Sequence, residues 1–328
     1  MMMQSLLYLA IALVILIAIF LLGPKVAIDT RLESIALPDD LDHYLEQSEA
    51  KYKDIRPDNQ KTIIWANSFQ RKSTRYSLIY LHGYSASRQE VYPLVENLGE
   101  KLNANVYLTR LTGHGRTSAA MADITVNALL KDAEEALEIG KRIGHKVIVV
   151  GLSTGATLAT WLAHHSNTDA IHALILMSPN YALRNKKSEL LLLPWARHFI
   201  PLIEGSVYRF TPDNDTQAKH WTWEYPTSAL FPMMGLVKFV RELPVENITL
   251  PLLFLISDQD QVVNTDTSSE VYQRFGSIPK KHTVIKGTQG SQHHVLAGES
   301  LSPATTADVE NQILNFLDQI EIRDGEKK

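Results

Sequence analysis

Gly151-Leu152-Ser153-Thr154-Gly155 is the stretch of sequence that decides the fold. It follows four β-branched residues, Val147-Ile148-Val149-Val150, and precedes a segment rich in small residues. A serine between two glycines at a strand-to-helix junction is typical of a sharp turn that lifts the hydroxyl above the edge of a sheet. A side chain at either glycine would obstruct this turn, because strand and helix approach closely there. The pattern predicts that Ser153 is a nucleophile.

Short apolar segments alternate with longer helical patterns on both sides of this motif. The predicted strands lie at residues 62–65, 78–81, 106–108, 147–150, 173–176, 252–256 and 283–285, and the predicted helices at 89–102, 126–143, 154–165 and 303–320. Continuous apolar strands are typical of a parallel sheet buried on both faces. The sequence therefore predicts an α/β fold with a mostly parallel central sheet and helices on both faces.

Residues 181–250 interrupt this alternation. The interval contains no clear strand pattern and is rich in tryptophan, methionine and leucine. An insertion of this kind between two strands predicts a helical cap over the carboxyl edge of the sheet. Within it, Trp195 and Trp223 are candidate substrate-binding residues, although ordinary packing explains such side chains equally well.

The N-terminal segment is the most apolar part of the chain. Every residue from Leu6 to Leu22 is apolar or aromatic, which is long enough to span a bilayer. We expect a single transmembrane anchor at residues 1–24, with a cleaved signal peptide as the alternative. Lys25 and Arg31 follow the run, so the positive-inside rule places the catalytic body in the cytoplasm. Residues 25–60 are predicted to form a polar stalk with one short helix, and residues 61–328 the globular domain.

The composition excludes several classes of function. The net charge is −4, from 32 Lys and Arg against 36 Asp and Glu, so we expect no nucleic-acid partner. The chain has no cysteine, which rules out thiolate nucleophiles and cysteine-ligated zinc. We expect no cofactor, and no metal site, because adjacent histidines such as His293 and His294 rarely converge on one ion.

His82-Gly83-Tyr84-Ser85 follows the strand at 78–81, so it should lie at the same edge of the sheet as Ser153. A developing oxyanion needs two preorganised donors, and the backbone N–H groups of Tyr84 and Thr154 are the natural pair. His82 and Gly83 are further candidates for contact with substrate, while a simple turn is the alternative. We expect His114, in Gly113-His114-Gly115, to be a structural loop residue, because it precedes the nucleophile in the chain.

The predicted acid and base each have a competitor nearby. Asp258 and Asp260 both follow the strand at 252–256, and we favour Asp260 because Val262-Val263 would hold its loop against the core. His293 and His294 both follow the strand at 283–285. We favour His294, because Val295-Leu296 can anchor its backbone while the ring faces the serine.

Together these motifs resemble those of the α/β-hydrolase superfamily, in its monoacylglycerol-lipase and carboxylesterase-like group, often labelled serine aminopeptidase-like. The likeness rests on Gly151-Leu152-Ser153-Thr154-Gly155, His82-Gly83, Gly113-His114-Gly115, Asp260 before Val262-Val263, and His294-Val295-Leu296. The resemblance implies a Ser153-His294-Asp260 triad, Tyr84 and Thr154 as oxyanion donors, and hydrolysis of esters with an acyl chain. Peptidase or thioesterase activity, or a non-catalytic tethered binding protein, are the alternatives.

Overall fold

A seven-stranded sheet organises the described part of the chain. The computed structural model describes residues 2–166 and 168–326. The strands are β1 (Thr62–Ile64), β2 (Thr74–Leu81), β3 (Asn105–Leu108), β4 (Gly144–Leu152), β5 (Ile171–Met177), β6 (Val207–Arg209), β7 (Glu224–Pro226), β8 (Leu252–Ile256) and β9 (Lys280–Val284). All but β6 and β7 belong to the large sheet, so each of the predicted strands is confirmed.

The order of strands in that sheet is β1-β3-β2-β4-β5-β8-β9. Strand β1 pairs antiparallel with β3, and the other pairs are parallel. The carboxyl ends of the parallel strands therefore meet at one edge, with β4 between β2 and β5. Loops that follow β2, β4, β5, β8 and β9 all leave from this edge, which is where ligands gather in such sheets.

Helices cover both faces of the sheet. They are α1 (Met2–Leu21), α2 (Leu41–Glu49), α3 (Leu94–Lys101), α4 (Val126–Ile143), α5 (Thr154–His165), α6 (Ala196–Glu204), α7 (Asp215–His220), α8 (Leu230–Arg241), α9 (Thr265–Arg274) and α10 (Pro303–Glu326). Successive strand residues point to opposite faces. Ile79 and Val149 pack with residues of α4 and α5, whereas Tyr80 and Val150 pack with residues of α3 and α10. The predicted layered α/β architecture is thus confirmed.

Two helix predictions need correction. The helix expected at 89–102 is divided into a 3₁₀ turn at Arg88–Val91 and α3, which begins after Pro93. Proline lacks an N–H and disfavours helical backbone at the preceding residue, so the pattern could not continue through it. Helix α9 was not predicted. Its start is marked by Asn264, whose side chain accepts a hydrogen bond from Thr267 N–H.

The cap insertion contains strands as well as helices. Strands β6 and β7 pair antiparallel as a separate two-stranded sheet, so the expectation of no strand in residues 181–250 was wrong. The strands have only three residues each, too short for a periodic pattern to show. Helices α6 and α8 form a small core of their own, which includes Leu191, Ile200, Phe231 and Met234. Helix α8 also packs on α5, which begins directly after Ser153.

The N-terminal helix α1 contributes neither to the cores on the two faces of the sheet nor to the core of the cap. Over Met3–Leu21 the helix has a mean hydropathy of 2.6 and is 0% buried, so its length and composition suffice to cross a bilayer. A signal sequence near the N-terminus has the same properties. Just beyond the helix, Pro24 O accepts a hydrogen bond of 2.9 Å from Trp195 N–H in the cap. The Trp195 indole N–H also lies 3.2 Å from Ile19 O.

The segment predicted as a polar stalk lies against the globular body. Leu41 and Leu45 of α2 are buried in the same core as α4. The Glu49 carboxylate accepts hydrogen bonds from the Arg110 guanidinium at 2.7 and 2.9 Å. Residues 41–49 of this segment therefore pack on the body, because α2 has apolar residues to bury. The boundaries at 24 and 60 stay predictions.

Candidate active site

Ser153 occupies a sharp turn between β4 and α5. Its backbone has φ +56° and ψ −118°, a conformation that non-glycine residues rarely adopt. A Cβ on Gly155 would lie 1.8 Å from Leu81 O, and one on Gly151 would lie 2.6 Å from Gly155 O. Both glycines are therefore required by close backbone approach. Ser153 N–H donates to Met177 O at 2.9 Å, which fixes the turn to β5.

The Ser153 side chain opens into a cavity between the sheet edge and the cap. The cavity has a volume of about 670 Å³. Ser153 is 5% exposed and lines it together with His294. Cap residues that line the opposite side include Leu191, Ile200, Met233 and Tyr225. The nucleophile candidate and the base candidate thus face the same space, which a small organic ligand can fill.

Asp260 and His294 form a buried pair beside this cavity. Asp260 is 0% exposed, and its Oδ1 accepts hydrogen bonds from Val262 N–H at 2.7 Å and Val263 N–H at 3.0 Å. Its Oδ2 lies 2.7 Å from His294 Nδ1. A carboxylate in this position holds the Nδ1–H tautomer, so that Nε2 is left as the basic nitrogen.

The pKa of His294 reflects this environment. Burial lowers the pKa of the imidazole, but attraction and hydrogen bonding from Asp260, with attraction from Glu90, raise it by more. The net pKa lies above the ordinary value for histidine. A base whose pKa is raised in this way binds a proton more strongly, which suits the transfer of a proton from a serine hydroxyl.

The competing acid and base candidates are placed differently. Asp258 is exposed to solvent. His293 lines the cavity, but its Nδ1 lies 2.8 Å from Thr288 O, and no carboxylate of residues 2–166 and 168–326 pairs with it. Of these candidates, Asp260 and His294 are the pair that combines a buried carboxylate with an imidazole, and their catalytic roles stay a prediction.

Two backbone N–H groups flank Ser153. Tyr84 N–H lies in the loop after β2, and Thr154 N–H is at the first residue of α5, where the helix dipole adds positive potential. Neither donates a hydrogen bond to another of the described residues. The Tyr84 ring is held in place, because its Oη donates to Ala229 O and its face meets His114 edge-on at 5.1 Å. These N–H groups are available to a ligand oxygen.

His82 and His114 contact the loop that contains Gly83 and Tyr84. His82 is fully buried; its Nε2 accepts from Leu111 N–H at 3.0 Å and its Nδ1 lies 2.9 Å from Gly83 O. Burial lowers the pKa of His82 well below its ordinary value. His82 does not line the cavity, whereas Gly83 does. Burial likewise lowers the pKa of His114 to about 4, and its Nδ1 lies 2.9 Å from Thr112 O, consistent with a structural loop residue.

The structure does not bring Trp195 and Trp223 to the cavity. Trp195 packs against the end of α1, and Trp223 is partly exposed on the cap surface. Trp221, two residues before Trp223, lines the cavity instead. The sequence interpretation was wrong here because burial of a tryptophan depends on tertiary packing that local patterns do not contain.

Two lining residues were missed by the sequence analysis. Glu90 is 1% exposed and lies in the 3₁₀ turn after the Tyr84 loop. Asn180 follows β5; its N–H donates to Ser153 O at 3.2 Å, and its buried Oδ1 has no hydrogen-bond partner in the part of the chain that the structure describes. No motif marked either residue. Asn180 could have been predicted from its position, because it follows β5, the parallel strand that pairs with the strand before Ser153.

A mostly parallel sheet with a serine turn after its central strand and a cap insertion defines the α/β-hydrolase fold. Comparison with known families agrees with this class. Residues 72–299 match the family described as serine aminopeptidase, S33. The chain belongs to this family, and the resemblance inferred from its motifs is confirmed.

Several of the similar proteins are lipases or esterases. The chain is 25% identical to the thermostable monoacylglycerol lipase of Bacillus sp. (strain H-257) over 220 residues, which cover 66% of this chain and 83% of that protein. It matches the metagenome-derived lipolytic enzyme structure reported for LipS and LipT with a TM-score of 0.67 and 18% identity, over 81% and 99% of the two chains. Saccharomyces cerevisiae monoglyceride lipase, a soluble variant bound to a substrate analog, matches with a TM-score of 0.60 and 13% identity, over 79% and 91%. This protein is thus a lipase- and esterase-type α/β hydrolase.

Proposed function

We propose that this protein hydrolyses carboxylic esters that carry an aliphatic acyl chain, with Ser153 as nucleophile, His294 as base and Asp260 as acid. The observation that carries the proposal is the buried Asp260–His294 pair, at 2.7 Å, beside a cavity that Ser153 also lines. Oriented imidazole and serine hydroxyl are the parts that acyl transfer requires.

The proposed reaction proceeds through an acyl-enzyme. His294 Nε2 accepts the Ser153 hydroxyl proton as Oγ attacks the ester carbonyl, and Asp260 stabilises the imidazolium that results. Tyr84 and Thr154 N–H groups stabilise the oxyanion. The imidazolium then gives its proton to the departing alcohol. Water attacks the acyl-enzyme with the same imidazole as base, which releases the acid and restores the serine.

The cavity supports an apolar acyl group as the substrate. Leu191, Ile200 and Met233 line the wall that the cap provides. The named activity of the Bacillus relative, a monoacylglycerol lipase, points in the same direction. Each methylene of an acyl chain that is buried against these apolar side chains favours binding by roughly 0.8 kcal/mol.

We further propose that α1 anchors the protein in a membrane, with the body on the cytoplasmic side. The cap is the part of the body that contacts the end of α1, through Trp195. Helix α6 presents Leu202 and Ile203 to solvent on this cap, 85% and 70% exposed. Apolar side chains next to a membrane anchor suit contact with the bilayer, from which a lipid substrate can enter the cavity.

Labelling with a fluorophosphonate probe tests the proposed function. The full chain in detergent should be labelled on Ser153, and Ser153→Ala should lose the label while its thermal unfolding temperature stays within a few degrees of wild type. A wild-type protein that is folded yet unlabelled would contradict the proposal and favour a binding protein on a hydrolase fold.

Peptidase activity is the second candidate, because the matching family is described as a serine aminopeptidase. The two activities share the triad and differ in the leaving group. A panel of monoacylglycerols, p-nitrophenyl esters, thioesters and aminoacyl amides separates them. We expect the highest kcat/KM for esters with a medium or long acyl chain; highest activity on amides would replace the ester assignment.

A further inference from the structure

Glu90 is a buried carboxyl beside the proposed catalytic groups. Its Oε1 accepts hydrogen bonds from Tyr80 Oη–H at 2.6 Å and from Gly83 N–H at 2.5 Å. Gly83 directly precedes Tyr84, whose N–H is the proposed oxyanion donor. The carboxyl therefore connects strand β2 to the loop that carries this donor.

The second oxygen of Glu90 lies toward the nucleophile. A Cβ built on Gly83 would lie 2.9 Å from Glu90 Oε2 and 3.4 Å from Ser153 Cβ, so one small space separates these groups. Glu90 also lines the cavity that Ser153 and His294 share. Among the described residues, no lysine or arginine forms an ion pair with Glu90.

The charge of Glu90 is coupled to that of His294. Burial raises the pKa of the Glu90 carboxyl to about 7, although hydrogen bonds from Tyr80 and Gly83, and attraction by His294, oppose the rise. Reciprocally, Glu90 raises the pKa of His294. Tyr80 from β2 and His294 from the loop after β9 are the titratable groups that face Glu90, with Asp260 behind the imidazole.

We propose that Glu90 is a positioning residue for the reaction: its carboxylate fixes the Gly83–Tyr84 loop and supplies a second negative charge to the His294 imidazolium. This inference rests on the proposed function. It assigns the site two carboxylates with different tasks. Asp260 orients the imidazole through a direct hydrogen bond, and Glu90, which lines the same cavity as His294, acts on it through its charge while holding the oxyanion loop.

Glu90→Gln separates the two tasks, because the amide oxygen can still accept from Gly83 and Tyr80 while the charge is lost. We expect kcat to fall about tenfold with little change in KM. The acidic limb of the kcat/KM profile should shift to lower pH by about half a unit or more, because the imidazolium loses a neighbouring anion. The limb should also become less steep, since one of two coupled titrating groups is gone.

Glu90→Leu removes the acceptor as well as the charge. We expect a fall in kcat of about a hundredfold, because the Tyr84 donor is no longer held. The matched control is Glu96→Gln, a carboxylate on the neighbouring helix α3 that does not line the cavity, and its profile should match that of wild type. If Glu90→Leu fails to fold, the Gln variant decides alone.

A Glu90→Gln enzyme whose kcat and pH profile coincide with those of wild type would overturn the inference. Fluorophosphonate labelling of Ser153 in the same samples keeps this result apart from failure of the proposed function. A labelled, active wild type with an unaffected Gln variant refutes only the role of Glu90. An unlabelled wild type refutes the function on which that role depends.

Discussion

The two walls of the cavity are built in different ways. On the sheet side, hydrogen bonds tie the proposed nucleophile and acid to the backbone: Ser153 N–H donates to Met177 O, and Asp260 Oδ1 accepts from Val262 and Val263 N–H. On the cap side, apolar and polar side chains on short elements line the cavity, and Leu202 and Ile203 of α6 remain exposed. The difference teaches how the proposed function divides between the walls: the rigid sheet wall would fix the geometry of bond breaking, and the cap wall would select the substrate by shape and hydrophobicity.

The acid gives the largest expected effect on the sheet side. Asp260→Asn should lower kcat by roughly 10⁴-fold, because the amide stabilises the wrong imidazole tautomer. Asp258→Asn is the control, since its side chain is exposed, and its kcat should stay within about twofold of wild type. Steady-state kinetics with one soluble ester measures both. Equal losses in the two variants would remove Asp260 from the triad.

The serine turn is the next test. In Gly155→Ala the new Cβ would lie 1.8 Å from Leu81 O, a backbone atom that cannot move away. We expect a loss of more than about 3 kcal/mol in the free energy of unfolding, or no folded protein. Gly205→Ala in the cap is the control, because at φ +85° its nearest neighbour is 4.0 Å away. It should cost about 1 kcal/mol from backbone strain alone.

Gly155→Ala and Gly205→Ala are compared by urea unfolding. Similar losses in the two variants would mean that the cap wall is as tightly constrained as the serine turn, which the difference between the two walls does not allow.

Substitutions in the cap wall should change the selectivity for the acyl chain and leave the catalytic step unchanged. Ile200→Trp on α6 fills part of the cavity, so kcat/KM for a p-nitrophenyl ester of a long chain should fall roughly tenfold, the value of about two methylenes. Hydrolysis of p-nitrophenyl acetate should be unchanged. Leu202→Trp on the same helix points to solvent and should alter neither. Parallel losses on both esters would place Ile200 with the catalytic wall.

The smallest effect is expected at the outer surface of the cap. Leu202→Gln with Ile203→Gln removes two exposed apolar side chains next to the proposed anchor. In proteoliposomes, hydrolysis of a bilayer-embedded monoacylglycerol should fall about threefold, because the cap contacts the bilayer less favourably. Hydrolysis of a soluble short ester is the internal control. No difference between the two substrates would exclude this face from membrane contact.

Sequence reasoning succeeded where local patterns carry the information. The strands of the large sheet are apolar runs, and α4 and α5 have the predicted bounds: Thr125 caps the start of α4, and α5 begins at the turn that the two glycines around Ser153 mark. The order of motifs also placed Asp260 and His294 at one edge. Trp195, Trp223, the β6–β7 hairpin and Glu90 were misassigned or missed, because their positions depend on contacts between distant segments. Glu90 can be recognised only in the folded structure, where its carboxyl accepts a hydrogen bond from Gly83 N–H.

The most direct test of the account is a crystal structure of the full chain after reaction with an alkyl phosphonate. We expect phosphorus to be bonded to Ser153 Oγ, with a phosphoryl oxygen about 2.7–3.1 Å from both Tyr84 N and Thr154 N. The alkyl chain should lie along Leu191 and Ile200. His294 Nε2 should lie within hydrogen-bond reach of the adduct. Phosphorus on another residue, or a phosphoryl oxygen facing away from both N–H groups, would contradict it.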